Sequence, residues 1–383
     1  MRIGVNTLFL IPGEVGGSET YLRDVLRHAV PRFPDITWVL FTNAENEATL
    51  RGDLGASPRV VFECLNVRAR RRAARIVAEQ TRLPARVRRA GVDGLWSPGY
   101  TAPLWPGCPQ VVSVLDMQYC EFPQDLSRPA WWATRLLVPA AVRRSRAVLT
   151  LSRFSRAQIV RYTGVPEDRV TVAYPGVDAV FGRPLPARER AERVVRLVPS
   201  ARYILCVANT YPHKNVAALV DAFGEAERAT DRALVLVGME GRGEAAVQEA
   251  VRRRGLAARL IRLRRLSRED LVALYQGADV FVFPSLYEGF GLPVLEAMYA
   301  GVPVIAADKG AIPEVGGKNV FYFDGTADHL VERWREVAAL SVERLGEITA
   351  AANRAAASFT WERAADETVA CLVNAIRLAG ASR

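Results

Sequence analysis

Two carboxylates flank a glycine-rich turn in the stretch LYEGFGLPVLEAMYAGVPVI, which covers residues 286–305. Glu288 comes directly before Gly289-Phe290-Gly291, and Glu296 follows Pro293, a residue typical of the first turn of a helix. Free N–H groups at a helix start bind anions, whereas carboxylates accept hydrogen bonds from hydroxyl groups. Together they suit a ligand with hydroxyls at both ends and phosphates between them, such as a nucleotide sugar. The alternative is a pair of acids that only complements the helix dipole.

One lysine has a suitable position for a diphosphate. Lys214 lies between the apolar stretch RYILCVA and the helical stretch NVAALVDAF, so we expect it at a strand-to-helix junction. A lysine there can bind a diphosphate together with the helix amides. The other lysines are Lys309 and Lys318, so only three of the 51 basic residues are lysines. The alternative for Lys214 is a solvated surface side chain.

The N-terminal half offers further candidates. Gly16-Gly17 follows the first apolar stretch, where a backbone without side chains can approach a ligand closely. The alternative is an ordinary turn with Ser18 as the helix cap. Asp116 ends the stretch QVVSVLD and is expected either to orient a ligand or to cap a turn. Ser152 and Ser155 are predicted to be helix caps, because no motif pairs them with a base.

Short apolar stretches alternate with amphipathic ones along most of the chain, which predicts a doubly wound α/β fold. The predicted strands of the first half are RIGVNTLFL, TWVLFT, GLWSP, QVVSVLD, AVLTLS and RVTVAYPGV. Those of the second half are RYILCVA, RALVLVG, RLIRLR, DVFVFPS and VPVIAA, and the chain is predicted to be helical from Asp328 on. Ligands bind beyond the carboxyl ends of parallel strands, and the candidates above follow predicted strands.

The length of 383 residues and the repetition of this pattern predict two Rossmann-like domains with parallel sheets that face a cleft. We expect an N-terminal domain at residues 1–182 and a C-terminal domain at 183–360, which the family resemblance given below makes the acceptor-side and the nucleotide-sugar-binding domain. A final helix at 361–383 is expected to cross back to the first domain. The segment 178–198 is rich in Pro, Gly and Arg, and it is predicted to contain the linker and an entry helix.

Composition argues against several classes of protein. No apolar run reaches the roughly 18 residues that span a bilayer. The start, MRIGVNTLFLIPG, has too short an apolar part for a signal peptide and is predicted to be a buried strand. The five cysteines show no paired or metal-like spacing, which favours a reducing cytoplasm over a disulfide frame or a zinc site. The net charge of +10 favours anionic partners.

Nine arginines lie between Arg68 and Arg89. A basic amphipathic stretch can contact the anionic headgroups of a membrane, and it can equally be the solvated face of a helix. Both interpretations stay open. Nucleic acid is not expected as a partner, because the stretch lacks interleaved aromatic residues and a reading motif. Trp131-Trp132, in a helical stretch, is predicted to pack in the core rather than to border an acceptor path.

The stretch EGFGLPVLE, followed by AMYAGVPVIAAD and IPE, resembles the Glu-x7-Glu signature of the retaining glycosyltransferases of family 4, which have the GT-B fold. Six further segments are similar to the family in the expected order, so the resemblance covers nearly the whole chain. They are GGSE (16–19), SVLDMQYCEFP (113–123), TLSRFSRAQI (150–159), VTVAYPGVD (170–178), ANTYPHKN (208–215) and FTWERAADET (359–368).

The resemblance implies a role for each candidate. Glu288 faces the hydroxyls of the donor sugar, and Glu296 takes the ribose hydroxyls. Backbone amides after Glu288 line the sugar and the phosphates, and Lys214 pairs with the diphosphate. Asp116, Glu288 and Lys214 are the expected catalytic residues. The expected donor-binding set is Gly16, Gly17, Asn209, Thr210, Lys214, Leu266, Glu288, Gly289, Phe290, Gly291, Leu292 and Glu296.

The donor loop departs from the family's pattern at Asn209, where many relatives have an arginine. Thr210 and the amides of Gly16 and Gly17 are expected to compensate for the missing charge. His213, beside Lys214, is expected either to contact a phosphate or to be a neutral surface side chain.

A second departure is Leu115, which stands before Asp116 where many relatives have a histidine. His28 lies on a helix and is expected to be structural, so no imidazole is expected to act as a base. The resemblance is compatible with a mechanism in which an oxygen of the donor phosphate takes the acceptor proton. Asp116 then orients the acceptor or the sugar.

The sequence therefore predicts a retaining, metal-independent glycosyltransferase without a cofactor, whose donor is a UDP- or GDP-sugar. The acceptor is expected to be a glycan or a lipid-linked hydroxyl in polysaccharide or envelope biosynthesis, with a lean towards mannosyl or rhamnosyl transfer. The predicted location is the cytoplasm or the inner face of its membrane. The alternatives are a nucleotide-sugar epimerase or phosphorylase on the same fold, and a non-catalytic nucleotide-sugar-binding protein.

Overall fold

The computed structural model describes residues 1–200 and 202–380, and within that range the chain forms two compact units. Unit 1 contains Met1–Glu121, Leu126–Gly176 and the described residues from Thr360 on. Unit 2 contains Phe122–Asp125 and Val177–Phe359. Each unit is therefore assembled from separate stretches of sequence, and four residues of the N-terminal half belong to unit 2.

A parallel sheet of seven strands forms the centre of unit 1. The strands are β1 (Arg2–Asn6), β2 (Thr37–Thr42), β3 (Val60–Cys64), β4 (Gly94–Ser97), β5 (Gln110–Ser113), β6 (Ala147–Thr150) and β7 (Val170–Val172). Their order in the sheet is β3-β2-β1-β4-β5-β6-β7. Because β1 pairs in parallel with both β2 and β4, the direction of winding reverses between β1 and β4. This reversal is the switch point of a doubly wound sheet.

Helices cover the sheet of unit 1. They are α1 (Gly17–Arg32), α2 (Glu47–Leu54), α3 (Arg72–Ala90), α4 (Gln118–Glu121), α5 (Arg128–Arg144), α6 (Arg153–Thr163) and the C-terminal helix (Trp361–Gly380). The C-terminal helix packs against α1 and against β5. Fully buried side chains such as Ile3, Val5 and Trp38 fill the interior between the sheet and the helices.

Unit 2 has a parallel sheet of six strands. They are β8 (Tyr203–Val207), β9 (Ala233–Val237), β10 (Leu260–Leu263), β11 (Val280–Phe283), β12 (Val304–Ala307) and β13 (Phe321–Phe323), in the order β10-β9-β8-β11-β12-β13. The switch point lies between β8 and β11, which are parallel neighbours. The helices are α7 (Ala179–Gly182), α8 (Ala187–Leu197), α9 (Val216–Ala226), α10 (Glu244–Arg254), α11 (Arg268–Gly277), α12 (Leu292–Tyr299), α13 (Ile312–Gly316), α14 (Ala327–Ala338) and α15 (Val342–Ala356).

The two doubly wound sheets confirm the predicted fold class. Central strands such as β9 and β11 are buried along their whole length, which explains why they read as continuous apolar runs. The edge strands β3 and β13 were missing from the prediction. Both are only half-buried over most of their length: Glu63 interrupts the apolar residues of β3, and β13 has only three residues. Among the residues that the structure describes, no helix has the length and apolar character needed to cross a bilayer.

Candidate functional site

Two loops of unit 2 leave the sheet at its switch point. The first follows β8 and covers residues 208–215, and the second follows β11 and covers residues 284–291. In the sheet, Val280 of β11 lies opposite Ile204 of β8. The two loops therefore start side by side, at the edge of the sheet where ligands of doubly wound folds bind.

Lys214 and Glu288 form an ion pair between these two loops. Lys214 ends a 3₁₀ turn (Pro212–Lys214), and its ammonium group lies 5.5 Å from the centre of the Phe283 ring. The two side chains keep 20% and 14% of their surface exposed, so both charges remain accessible to a ligand. The structure thus brings together the residues predicted to bind the diphosphate and the sugar hydroxyls.

Backbone contacts fix the loop that carries Glu288. The N–H of Leu286 donates to the carbonyl of His213 at 2.7 Å, which joins the two loops directly. The carbonyl of Glu288 accepts a hydrogen bond from the N–H of Ala311 at 3.0 Å. At Gly310, φ is +62°, and a Cβ atom there would lie 2.7 Å from the nitrogen of Glu288. Only glycine fits this position, which the sequence analysis did not select.

The turn after Glu288 leads into α12 as the sequence predicts. Gly291 is the N-cap residue with φ of +103°, a conformation that favours glycine, and Leu292 begins the helix. Gly289 is buried. The side chain of Phe290 is 3% exposed, and its ring centre lies 5.8 Å from that of Phe359. The side chain of Phe290 therefore stabilises the turn by packing. Only its backbone amide could make the predicted contact with a ligand.

Glu296 lies on α12, where the hydroxyl of Tyr275 donates a hydrogen bond to its carboxylate at 2.9 Å. Burial raises the pKa of Glu296 to about 7, although the bond from Tyr275 and the charge of Arg268 act in the opposite direction. Burial also raises the pKa of Tyr275 well above 10, so this phenol stays protonated and keeps donating. Glu296 therefore holds a carboxylate that is only partly ionised near neutral pH.

Asn209 and Thr210 shape the loop after β8. The side-chain oxygen of Asn209 accepts a hydrogen bond from the N–H of Met239 at 2.7 Å. The hydroxyl of Thr210 donates to Glu244 at 2.6 Å and accepts from the N–H of Gly241 at 2.9 Å. Thr210 is 1% exposed, so its side chain is occupied within unit 2. Any contact with a phosphate would have to come from its backbone.

His213 is not a surface side chain. It is 4% exposed, and its Nδ1 lies 2.7 Å from the carboxylate of Asp125, which is 6% exposed. Asp125 belongs to the short segment of the N-terminal half that forms part of unit 2. The ring of Phe122, from the same segment, lies 5.9 Å from His213 and 6.1 Å from Tyr287. The expectation of a neutral surface imidazole is therefore wrong, because this segment covers the ring.

The candidate glycines of unit 1 lie at the start of α1. Gly16 is the N-cap residue with φ of +58°, and Gly17 is the first residue of the helix. A Cβ atom at either position would meet nothing within 4 Å in the described chain. Ser18 lies inside the helix and is not its cap. Glycine is therefore favoured at position 16 by its positive φ and not by close packing. At position 17 a Cβ atom would likewise meet no other atom of the described chain within 4 Å.

Asp116 lies just beyond β5 in unit 1, where it is half-buried. Its carboxylate accepts a hydrogen bond from the N–H of Gln118 at 3.0 Å, which is the turn-capping role considered from sequence. Ser152 caps α6 by accepting from the N–H of Ser155, as predicted. The hydroxyl of Ser155 donates to the carbonyl of Leu115 at 3.0 Å and so supports the loop that carries Asp116.

The remaining candidates lie further from these groups. Leu266, in the loop between β10 and α11, follows a strand that β9 separates from β8. His28 lies on α1, and its Nδ1 contacts the carbonyl of Asp24 at 2.8 Å, in agreement with a structural role. Gly310, Tyr275 and Asp125 were missed from sequence. Gly310 alone carried a local signal, since it stands between the strand VPVIAA and the IPE segment.

Two doubly wound units, the second with a lysine and a glutamate at its switch point, define a two-domain α/β protein of the class that binds ligands at the carboxyl ends of parallel strands. The family comparison is more specific. Residues 15–181 match the model of Glycosyltransferase Family 4, and residues 187–353 match that of the glycosyl transferases group 1. The chain belongs to these glycosyltransferases.

Relatives and solved structures agree with this family. An O-antigen chain mannosyltransferase B of Escherichia coli is 30% identical over 59% of this chain and 60% of its own length. A D-inositol 3-phosphate glycosyltransferase of Rhodococcus jostii is 33% identical over 55% of this chain and 48% of its own. The matches thus span about half the length of these relatives. The Anabaena protein HepE, solved with UDP and glucose, shares the fold with a TM-score of 0.75 at 20% identity, over 98% of this chain and 100% of its own.

Gly310→Ala should displace the Glu288 loop. The variant adds a clash with the backbone of Glu288 to the strain of a positive φ, so we expect a loss of stability of about 1–3 kcal/mol and weaker nucleotide binding. Gly317→Ala is the matched control, because its φ is +55° but its Cβ would meet nothing within 4 Å in the described chain. Urea unfolding and nucleotide titration of both variants test this. Equal losses in the two variants would show that Gly310 has no special role.

Glu296→Gln should stabilise the protein increasingly as the pH rises from 4.5 to 7. The folded-state pKa of about 7 lies above the ordinary value of 4.5, so the wild type loses stability across this window as its folded state is forced to ionise. The glutamine variant avoids this loss. Melting temperatures from pH 4 to pH 8 check it, with Glu347→Gln as the control because Glu347 is 66% exposed. A pH-independent difference would contradict the assignment.

Proposed function

We propose that this chain transfers a sugar from a nucleotide-sugar donor to a hydroxyl acceptor, with retention of configuration at the sugar. The observation that carries the proposal is the Lys214–Glu288 ion pair at the switch point of unit 2, in a member of a glycosyltransferase family. It supplies a cation for a diphosphate beside a carboxylate that can accept hydrogen bonds from sugar hydroxyls.

The proposed chemistry depends on charge. When the bond between the sugar and the diphosphate breaks, negative charge grows on the leaving diphosphate. Lys214 and the amides at the start of α12 stabilise that charge, which lowers the barrier to transfer without an assigned metal ion. Glu288 takes the hydroxyls of the sugar, and Glu296 takes those of the ribose. An oxygen of the leaving phosphate accepts the acceptor proton, while Asp116 orients the acceptor or the sugar.

The relatives suggest the groups involved. An O-antigen mannosyltransferase of Escherichia coli supports a mannosyl donor, and HepE, whose structure holds UDP and glucose, supports a nucleotide-sugar donor. We propose that this donor is a UDP- or GDP-sugar. We propose a glycan or lipid-linked acceptor in polysaccharide synthesis on the cytoplasmic side of the membrane. The arginines of Arg68–Arg89 would then provide peripheral contact with anionic lipid. Seven of the nine are exposed in the structure, namely Arg68, Arg70, Arg71, Arg72, Arg82, Arg88 and Arg89.

A thermal-shift screen with UDP, GDP and their sugars identifies the donor. A ligand at one hundred times its Kd stabilises the folded state by about 2.7 kcal/mol, so we expect one nucleotide series to raise Tm by several degrees. The cognate sugar nucleotide should shift Tm more than the free nucleotide, because Glu288 contacts the sugar. If neither series shifts Tm, the donor site is assigned wrongly.

Lys214→Ala should reduce kcat/KM for sugar transfer by about 10²–10³, since it removes a group that stabilises the leaving diphosphate. Lys214→Arg should retain part of the activity because it keeps the charge. Lys318→Ala is the matched control, as Lys318 is an exposed lysine of the same unit. The measurement is release of nucleotide from the donor found above, with a panel of glycoside acceptors. Normal transfer by Lys214→Ala would refute the proposed role.

The same assay separates the alternatives. A non-catalytic binder would show the thermal shift but release no nucleotide with any acceptor. An epimerase would change the configuration of the donor sugar in the absence of acceptor. The anomeric configuration of the product, read by NMR, distinguishes retention from inversion.

A further inference from the structure

Unit 1 contains a cavity of about 230 Å³ that the proposed reaction does not use. It lies among α4, α5 and α6, close behind the loop that carries Asp116. No acidic residue lines it. The lining residues are Tyr119, Cys120, Arg135, Leu136, Pro139, Arg143 and Tyr162.

The hydroxyl of Tyr119 is buried at this cavity without a hydrogen bond to any oxygen or nitrogen atom of the described residues. Tyr119 is 6% exposed, and its oxygen lies beside the Cys120 thiol but has no partner of ordinary geometry in the part of the chain that the structure describes. A buried hydroxyl without a partner destabilises a folded protein, and replacing it with hydrogen usually does no harm. Its presence at the wall of a cavity points to a partner that is not part of the protein.

Two arginines at the cavity have no carboxylate partner. The guanidinium of Arg135 lies 5.4 Å from the centre of the Trp131 ring, and the Trp131 N–H donates to the carbonyl of Tyr119 at 2.8 Å. Within the described residues, the guanidinium of Arg143 donates only to the carbonyl of Thr163, at 3.4 Å. Neither arginine forms an ion pair within residues 1–200 and 202–380. Both arginines are exposed, and Trp131 contacts both the Arg135 guanidinium and the backbone of Tyr119.

Two acids lie near the cavity, and both already have hydrogen-bond partners. Glu121 accepts a hydrogen bond from the hydroxyl of Tyr162 and pairs with Arg161 at 3.4 Å. Asp116 accepts from the N–H of Gln118, and its negative charge also acts on Tyr119 and Cys120. Arg161 compensates the charge of Glu121, so Arg135 and Arg143 together exceed the charge of Asp116 by one positive charge. The cavity therefore combines two guanidinium groups with a hydroxyl donor, and this combination binds phosphate.

We propose that this cavity, the Tyr119 pocket, binds a phosphate group between Arg135 and Arg143, with the Tyr119 hydroxyl as a donor. Two sources share this chemistry. One is a small phosphate compound, and the other is the headgroup of an anionic lipid. Trp132 and Leu136 lie one turn apart on α5 and are 58% and 67% exposed, which corrects the expectation that Trp132 packs in the core. An exposed tryptophan and leucine beside a phosphate pocket would also suit a lipid.

Cys120 provides a local probe, because its thiol lines the Tyr119 pocket. Alkylation by N-ethylmaleimide, followed by mass spectrometry, should be slower at Cys120 in sodium phosphate than in sodium chloride of equal ionic strength. Cys64, on β3, is the internal control and should react at the same rate in both salts. This local readout excludes phosphate that binds at Lys214. The second arm replaces free phosphate with vesicles of phosphatidylglycerol and phosphatidylcholine, compared with vesicles of phosphatidylcholine alone.

Arg143→Gln should weaken phosphate protection of Cys120 about tenfold, the usual effect of losing a charge-assisted hydrogen bond. Arg144→Gln is the matched control, because Arg144 follows Arg143 on α5 but lies over the Trp105 ring and lines a different cavity. Tyr119→Phe should keep or raise the melting temperature while it weakens protection. That combination separates a binding role from a structural one.

If free phosphate slows the alkylation of Cys120 and Arg143→Gln abolishes this protection, the proposal is supported with a small phosphate compound as the source. Protection only by vesicles with phosphatidylglycerol, again removed by Arg143→Gln, supports it with a lipid source. No protection in either arm overturns the proposal. Protection that survives in both Arg143→Gln and Tyr119→Phe, or that Arg144→Gln removes equally, also overturns it. These outcomes do not depend on sugar transfer, so they leave the proposed function to its own test.

Discussion

The ion pair between Lys214 and Glu288 is the interaction on which the candidate site of unit 2 depends. It connects the loops that leave two neighbouring parallel strands. The hydrogen bond from the Leu286 N–H to the His213 carbonyl also joins those loops. In the absence of a ligand each charge neutralises the other. In the proposed function, a diphosphate would pair with the lysine while sugar hydroxyls would bind the carboxylate. Ligand binding would then replace one ion pair with two contacts and leave neither charge without a partner.

Local sequence signals were sufficient for much of the fold and for part of the site. Buried central strands are apolar from end to end, and Gly291 with Pro293 marks the start of α12 because both act through their own backbone. The remaining features depend on distant partners. Asp125 and His213 are 88 positions apart, and neither residue type indicates the other. Gly310 is required because its φ is positive and because the Glu288 backbone lies against it, and the edge strand β3 lacks the apolar run that reveals its neighbours.

The structure also shows how side chains with similar sequence signals take different tasks. Thr210 and Asn209 follow β8 as a ligand-binding residue would, yet their polar groups close the loop on Gly241, Glu244 and Met239. Trp131 and Trp132 are adjacent in sequence, but the first supports the Tyr119 backbone and the second faces solvent. The polarity of a residue and its position after a strand predict the region of the fold where a ligand binds. The hydrogen bonds available in three dimensions decide which groups there stay free for a ligand.

The segment Phe122–Asp125 makes unit 2 discontinuous, and this affects any attempt to study that unit as an isolated fragment. A fragment cut at residues 177 and 359 would contain Lys214, Glu288 and Glu296. It would lack the Asp125 carboxylate that binds His213 and the Phe122 ring that covers it. The carbonyl of His213 accepts the hydrogen bond from the Leu286 N–H. Losing the contacts of Asp125 and Phe122 with His213 would therefore also affect the loop that carries Glu288. A fragment with an intact donor loop would need these four residues supplied as a separate peptide or grafted onto its start.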